Sequence, residues 1–479
     1  MRSLVRAFVT FGTADAVGRL SVLLTLPIYA RVLGPDGLGK LAYLSTAVQL
    51  LTGLLSLGIE QAYARCHPAA RSEDERRRLT STYFVLAGAW VAVCLVVALP
   101  FTERLAVASF GTSAEAVLWL IALGCAATAA LNGAGAQVLR SEARLRPYFL
   151  LSVSGTALAV ALGLAGVLWW NLGVAGVLGG LAIAGAVVFF ARLWHLRPLL
   201  CPVFETARAR ELLAIGIPTI SALTAYWGFN AADRVLLGWF GSFEAVGQYN
   251  VAATLAGTLL LAINALWPAW QVYALKAWED GEPGHRATYA RVATYTLAGL
   301  GAIALVVTTW GPELVALFAG AAFAGAAAAI APIALGLAVY GLSPILGIGI
   351  SIKRRFGLFM ATAWAAAAIN AALNVILIPR MGMMGSAWAA LISYGVLTGA
   401  NLVIGQLLWP FALERYRLAA TAVLIVAFVT GATFLPTNAA ILKCGYVAAF
   451  VALLFASRAF DARELRALRA AWAAMRAKP

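Results

Sequence analysis

The chain has little charge. Aspartate, glutamate, lysine and arginine together make 11 % of its 479 residues, where an ordinary soluble protein carries roughly 25 %. No long polar stretch is present, so no separate water-soluble domain is expected beside the apolar part. Three histidines, His67, His195 and His285, fall near loops and form no cluster. Five cysteines, Cys66, Cys94, Cys125, Cys201 and Cys444, show no CxxC spacing. Neither a disulfide framework nor a cysteine–histidine metal site is therefore expected, and no cofactor is implied.

What is present is apolar residue, 62 % of the chain. Apolar runs near 20 residues recur from end to end, long enough to cross ~30 Å of hydrocarbon. The sequence predicts an all-α polytopic membrane protein of about 14 helices. They run roughly over 7–31, 40–63, 80–101, 113–138, 147–170, 173–194, 212–239, 247–274, 288–310, 325–351, 357–378, 384–408, 417–435 and 439–457. The first run is a membrane helix rather than a signal peptide, because Asp15 and Arg19 interrupt a region that cleavable signals keep purely apolar.

The loops alternate in charge. One set, with both termini, holds 28 basic residues, Arg192 counted among its loop charges; the other set, Lys443 included, holds 6. The positive-inside rule then places both termini in the cytoplasm. The net charge of +15 thus reports topology and attraction to anionic lipid. No nucleic-acid partner is needed to explain it.

The sequence also repeats itself, with an offset of about 208 residues. Leu33-Gly34-Pro35-Asp36-Gly37-Leu38-Gly39-Lys40 returns as Phe240-Gly241-Ser242-Phe243-Glu244-Ala245-Val246-Gly247-Gln248 with one inserted residue; Gly173-Val174-Ala175-Gly176 returns as Gly382-Met383-Met384-Gly385; and Arg146-Pro147-Tyr148-Phe149 echoes Arg355-Phe356-Gly357-Leu358. Six helices per repeat is an even number, so both repeats share one orientation and their pseudo-twofold axis is expected along the membrane normal. The expected parts are an N-lobe at 1–200, a C-lobe at 208–410, two further helices within 415–457 and a tail at 458–479. In the tail, Leu465, Leu468, Trp472 and Met475 follow helical spacing among arginines, the pattern of an amphipathic helix on the cytoplasmic membrane surface.

Four predicted helices carry polar stripes. The first has Asp15 and Arg19 one turn apart; the second has Ser45, Gln49, Thr52, Ser56 and Glu60. The seventh has Thr219, Tyr226, Asn230 and Asp233, with Arg234 adjacent; the eighth has Asn250, Thr254, Asn264 and Gln271 near Trp267 and Trp270, with a kink expected at Pro268. Such stripes avoid lipid and face protein or water, so these helices are expected to line a cavity between the lobes. Arg19, Gln49, Glu60, Tyr226, Asn230, Asp233, Arg234, Asn264, Trp267 and Gln271 are the candidate substrate contacts, Asp15 the candidate ion-coupling site, and Arg31 an interfacial residue. A charge at mid-membrane costs at least ~2.5–3.5 kcal/mol, which makes Asp15 and Arg19 the sharpest pair. Their bland alternative is a self-neutralising pair that stiffens the first helix. The tryptophans fit sugar stacking or an interface belt equally well.

Gly34-Pro35-Asp36-Gly37-Leu38-Gly39-Lys40 fits the first seven positions of a P-loop, but Leu41 stands where the magnesium-binding hydroxyl belongs. In the repeat copy Lys40 becomes Gln248 while Gly39 stays Gly247. The segment is a turn, and no nucleotide is expected.

Ala30-Arg31-Val32-Leu33-Gly34-Pro35-Asp36-Gly37-Leu38-Gly39 resembles the turn after the first helix of bacterial polysaccharide flippases. Asp233-Arg234-Val235-Leu236-Leu237-Gly238 followed by Ala245-Val246-Gly247-Gln248-Tyr249 is similar to their seventh-to-eighth junction, and Asn374, Pro379, Gly382 and Gly385 match their eleventh-to-twelfth. The implied family is the oligosaccharide flippases of the multidrug/oligosaccharidyl-lipid/polysaccharide exporter superfamily. The resemblance implies movement of undecaprenyl-diphosphate-linked oligosaccharide across the bacterial inner membrane by alternating access, coupled to an ion gradient. It implies a monomer, with membrane lipids and polysaccharide-assembly proteins as neighbours. The alternatives are a cation-coupled drug exporter, which Asp15 also suits, a lipid II flippase, and a polysaccharide polymerase or ligase. The last is an enzyme and is disfavoured by the short outer loops.

Overall fold

The computed structural model describes residues 2–281, 284–437 and 439–457, and their side chains except at 2–12, 14–16, 19 and 221–231. The proposed tail helix at 458–479 lies outside the described residues.

Among the described residues the architecture is helical throughout, without strands. Ten helices are long and apolar enough to span a membrane, and a bent pair would make an eleventh. Apolar runs dictate this. In lipid, backbone N–H and C=O groups find partners only within the segment itself, and a helix is the local solution.

The first half comprises α1 Arg2–Leu55, α2 Ile59–Cys66, α3 Glu73–Ala98, α4 Thr102–Phe110, α5 Ala116–Ser141, α6 Leu145–Leu168, α7 Gly173–Leu196 and α8 Thr206–Phe240. The second comprises α9 Phe243–Ala256, α10 Leu259–Glu279, α11 His285–Thr309, α12 Gly311–Phe318, α13 Ala326–Tyr340, α14 Ser343–Leu346, α15 Ile348–Ile352, α16 Phe356–Met381, α17 Met383–Leu408, α18 Arg415–Ala432 and α19 Ala440–Ala456. Each of the fourteen expected segments has a counterpart. The chain divides into two compact units, Met1–Gly247 and Gln248–Pro479.

The breaks have local causes. α1 contains the first two expected spans, separated at Gly34, whose φ of 67° and ψ of −178° leave the helical region; a side chain there would be strained. The second span stops at Leu57 and Gly58, with φ of 50° and 64°, and resumes as α2. At the start of α3, Glu75 N–H donates to Ser72 Oγ at 3.1 Å, and Glu73, Asp74 and Glu75 fill the first turn, a cap that suits the helix dipole.

A sharp bend precedes Pro268, the position of the expected kink. α10 continues through Pro268, and the 48° bend separates α9 from α10, at Gly257 and Thr258. Glycine is a poor helix former, and Thr258 Oγ1 bonds back to the Leu255 carbonyl at 2.8 Å, which competes with the helical ladder.

Candidate functional site

In the first unit, α1, α5, α6 and α7 enclose a cavity of about 420 Å³. Its walls are mostly apolar, including Val22, Val48, Leu151, Val160, Val177 and Val188. Polar groups gather toward the basic end of α7, the end followed by Arg197. Arg192 is 7 % exposed. One terminal nitrogen donates to the Asn132 backbone carbonyl at 2.6 Å and to Asn132 Oδ1 at 3.2 Å. The other donates to Ser152 Oγ at 3.1 Å. Arg192 Nε is buried without a partner among the described residues. Asn132 is itself fixed, since Nδ2 donates to the carbonyls of Thr128 and Gly185 at 2.9 and 2.7 Å.

Arg192 is a correction. It was expected among the loop charges, but it is a buried residue of α7. Lys443, likewise counted as a loop charge, is 1 % exposed within α19 and bonded to Glu313 of α12. The signal for Arg192 was present: it falls inside an apolar run, and Thr128 and Asn132 one turn apart form a matching polar face on the fourth expected span. Proximity to Arg197 masked it.

A second feature of this unit is the junction between the Gly34 turn and the end of α8. A Cβ on Gly39 would run into the Phe243 carbonyl, and one on Gly247 into the Pro35 carbonyl. Only glycine permits backbones to approach so closely. Trp239 Nε1 donates to Tyr43 Oη at 3.1 Å, and Tyr43 packs edge-on against Phe243, Phe110 and Trp119. Lys40 pairs with Glu115 at 2.7 Å and with Asp36 at 3.4 Å. The P-loop lookalike is therefore a packing turn: its lysine is held by two carboxylates. Further back along α8, Thr219 Oγ1 lies 3.3 Å from the Gly58 carbonyl. Nearby, the Cys66 thiol donates to Glu211 at 3.6 Å; burial first, and the Glu211 carboxylate second, hold its pKa up.

The sequence-predicted residues lie in both units. The side chains of Asp15, Arg19, Tyr226 and Asn230 lie outside the described set. Gln49 and Arg31 are exposed, and Glu60 is half-buried with its carboxylate against Gly133. Asp233 is buried, at 6 % exposure, and Arg234 is half-buried. In the second unit Asn264 and Gln271 are exposed, whereas Trp267 is half-buried and donates to the Gly341 carbonyl at 3.1 Å. Among the described residues no group of three metal-ligating side chains is present.

This architecture has solved counterparts. It is similar to "Lipid II flippase MurJ, inward closed conformation", with TM-score 0.72 and 14 % identity over 93 % of this chain and 98 % of that one. It is similar to an inward-facing multidrug resistance MATE family transporter of the MOP superfamily, with TM-score 0.68 and 16 % identity over 82 % and 97 % of the two chains. An outward-facing MATE transporter gives TM-score 0.60 and 15 % identity over 85 % and 95 %. No curated protein matches in sequence. The fold is thus that of the MOP-superfamily transporters. The family model described as "Polysaccharide biosynthesis protein" matches residues 4–270, more than half of the chain, and the chain belongs to that family.

Proposed function

We infer that the chain is a flippase that moves an undecaprenyl-diphosphate-linked oligosaccharide from the inner to the outer leaflet of the bacterial inner membrane. The observation that carries this is the coincidence of a polysaccharide-biosynthesis family match over 4–270 with a transporter fold. Such work is conformational: alternating access requires two states of a membrane bundle and no bond-making centre. The exposed Gln49, Asn264 and Gln271 supply polar surface on otherwise apolar helices, as a hydrated sugar requires. Asp15 is the candidate site of ion coupling and Arg19 a candidate diphosphate partner, from sequence. The glycan, both termini in the cytoplasm, a monomeric state and contact with polysaccharide-assembly proteins belong to the same proposal.

The test is leaflet-resolved. Cells depleted of the protein accumulate finished lipid-linked oligosaccharide on the cytoplasmic leaflet with unchanged sugar composition. Short unextended repeats on the outer leaflet would assign a polymerase instead, and an unchanged glycan with new drug sensitivity would assign an exporter. Asp15→Asn slows transport and alters its dependence on pH or sodium if that acid couples the ion.

A further inference from the structure

The first-unit cavity joins two chemistries. Arg192 presents a permanent cation at one end, because a guanidinium does not deprotonate in proteins. Its described partners are an amide, a hydroxyl and a backbone carbonyl, all neutral, and its Nε has no partner among the described residues. A buried cation is normally paired with an anion. The remaining wall carries the hydroxyls of Ser21, Thr25, Tyr29, Thr128 and Thr156 but is mostly apolar, and along α7 it continues from Arg192 to Val177, 15 residues and so about 22 Å at the helical rise. The volume, about 420 Å³, lies within the range of roughly 300–1,000 Å³ typical of small-molecule sites. Val22 and Leu181, both wall residues, are 55 % and 44 % exposed, so the wall is open to the side.

We propose that this cavity is a binding site for a phosphate-headed lipid. Arg192, with Asn132 and Ser152 beside it, takes the phosphate, and the slot along α6 and α7 takes the start of the chain. A guanidinium matches phosphate oxygens with two parallel donors. A neutral lipid would leave the cation unanswered, and a free phosphate would leave the apolar slot unfilled. The site is independent of the transport reading: a chain that moved another cargo would carry it equally.

Native mass spectrometry of the purified full chain, released from a neutral detergent, tests this with farnesyl phosphate, farnesol and inorganic phosphate as probes. The expected result is one saturable farnesyl phosphate adduct, with farnesol and inorganic phosphate each bound at least tenfold more weakly. Arg192→Gln lowers farnesyl phosphate occupancy at least tenfold, and Arg192→Lys, which keeps the charge but not the fork, lowers it less. If Arg192→Gln fails to fold, Thr156→Phe decides, since it fills the slot from α6 and leaves Arg192 and its partners in place; it must abolish the adduct. Equal binding of farnesyl phosphate and farnesol, inorganic phosphate binding as tightly as the lipid, or an unchanged adduct in Thr156→Phe would each overturn the proposal. So would full binding by a folded Arg192→Gln, which would leave Arg192 a purely structural tie between α5, α6 and α7.

Discussion

The helix pairs α6–α7 and α16–α17 stand at matching places in the sequence repeat, where Gly176 echoes Gly385. Their contact is made the same way: a Cβ on Gly176 would lie 2.7 Å from Gly166, and one on Gly385 2.5 Å from the Leu377 carbonyl. What surrounds each pair differs. Around α6–α7 the bundle is hollow, with a buried cation facing the space. Around α16–α17 the buried polar side chains bond to one another. Asn374 Nδ2 donates to the Asn370 carbonyl at 2.9 Å, and Ser386 Oγ to Asn374 Oδ1 at 2.7 Å. Thr362 donates to Asn401 Oδ1 at 2.8 Å, and Asn401 Nδ2 to Ser343 Oγ at 2.7 Å. Asn370, Asn374, Ser386 and Asn401 are each at most 1 % exposed. A duplicated scaffold has kept its glycine contact and uses its polar residues differently, around a cavity in one unit and in hydrogen bonds between buried side chains in the other. Small residues set helix distance in lipid, where apolar burial gives no preference for protein over lipid tails; polar residues then decide what the space between helices is for.

The largest expected effect tests what the two regions share. Gly176→Val and Gly385→Val both force backbone apart at contacts that have no flexible side chain to yield. Overpacking costs typically 1–3 kcal/mol and about the upper end is expected where backbone must move. Both variants should fall sharply in membrane yield and unfolding midpoint, to a similar degree. A tolerated substitution in one pair alone would break the parallel.

The next effect separates the regions. Thr156→Phe places a ring in the hollow and should leave the unfolding midpoint within about 0.5 kcal/mol of the parent. Ala387→Leu, at a fully buried position of α17, should cost about 1–3 kcal/mol. Thermal unfolding in detergent reads both, and a cost at Thr156 equal to that at Ala387 would show that the hollow is not free space.

Much of this was legible beforehand. Apolar runs gave the order of the helical segments because lipid admits few alternatives to a helix, and the Gly39–Gly247 echo announced a turn that packing now explains. The break at Gly257 was missed because proline drew the expectation to Pro268, and the bend between α9 and α10 comes at a glycine–threonine step before it. The cavity was missed because stripes were sought in helices 1, 2, 7 and 8 as counted in the sequence, while Thr128, Asn132 and Arg192 each look isolated along the chain. Only the packing of α5 against α7 brings them together, and nothing in a single helix's periodicity reports which face meets which neighbour.

The smallest effect probes the same contrast at the level of one hydroxyl. Thr128 faces the hollow, and among the described residues its Oγ1 donates only back along its own helix, to the Gly124 and Cys125 carbonyls at 3.0 and 3.1 Å. Those carbonyls already serve the helical ladder, so Thr128→Val strands nothing and should shift stability by less than about 0.5 kcal/mol. Ser386 instead supplies a proton to Asn374 Oδ1, a side-chain oxygen on a neighbouring helix that is closed off from water. Ser386→Ala removes that interhelical bond from a buried side chain, which should cost about 1–2 kcal/mol, near the upper range for hydrogen bonds between membrane helices. The pair is read as two unfolding midpoints measured side by side. Equal shifts would mean that water reaches Asn374 or that the Thr128 hydroxyl serves a ligand in the cavity; in the second case adding farnesyl phosphate would stabilise the parent and not Thr128→Val.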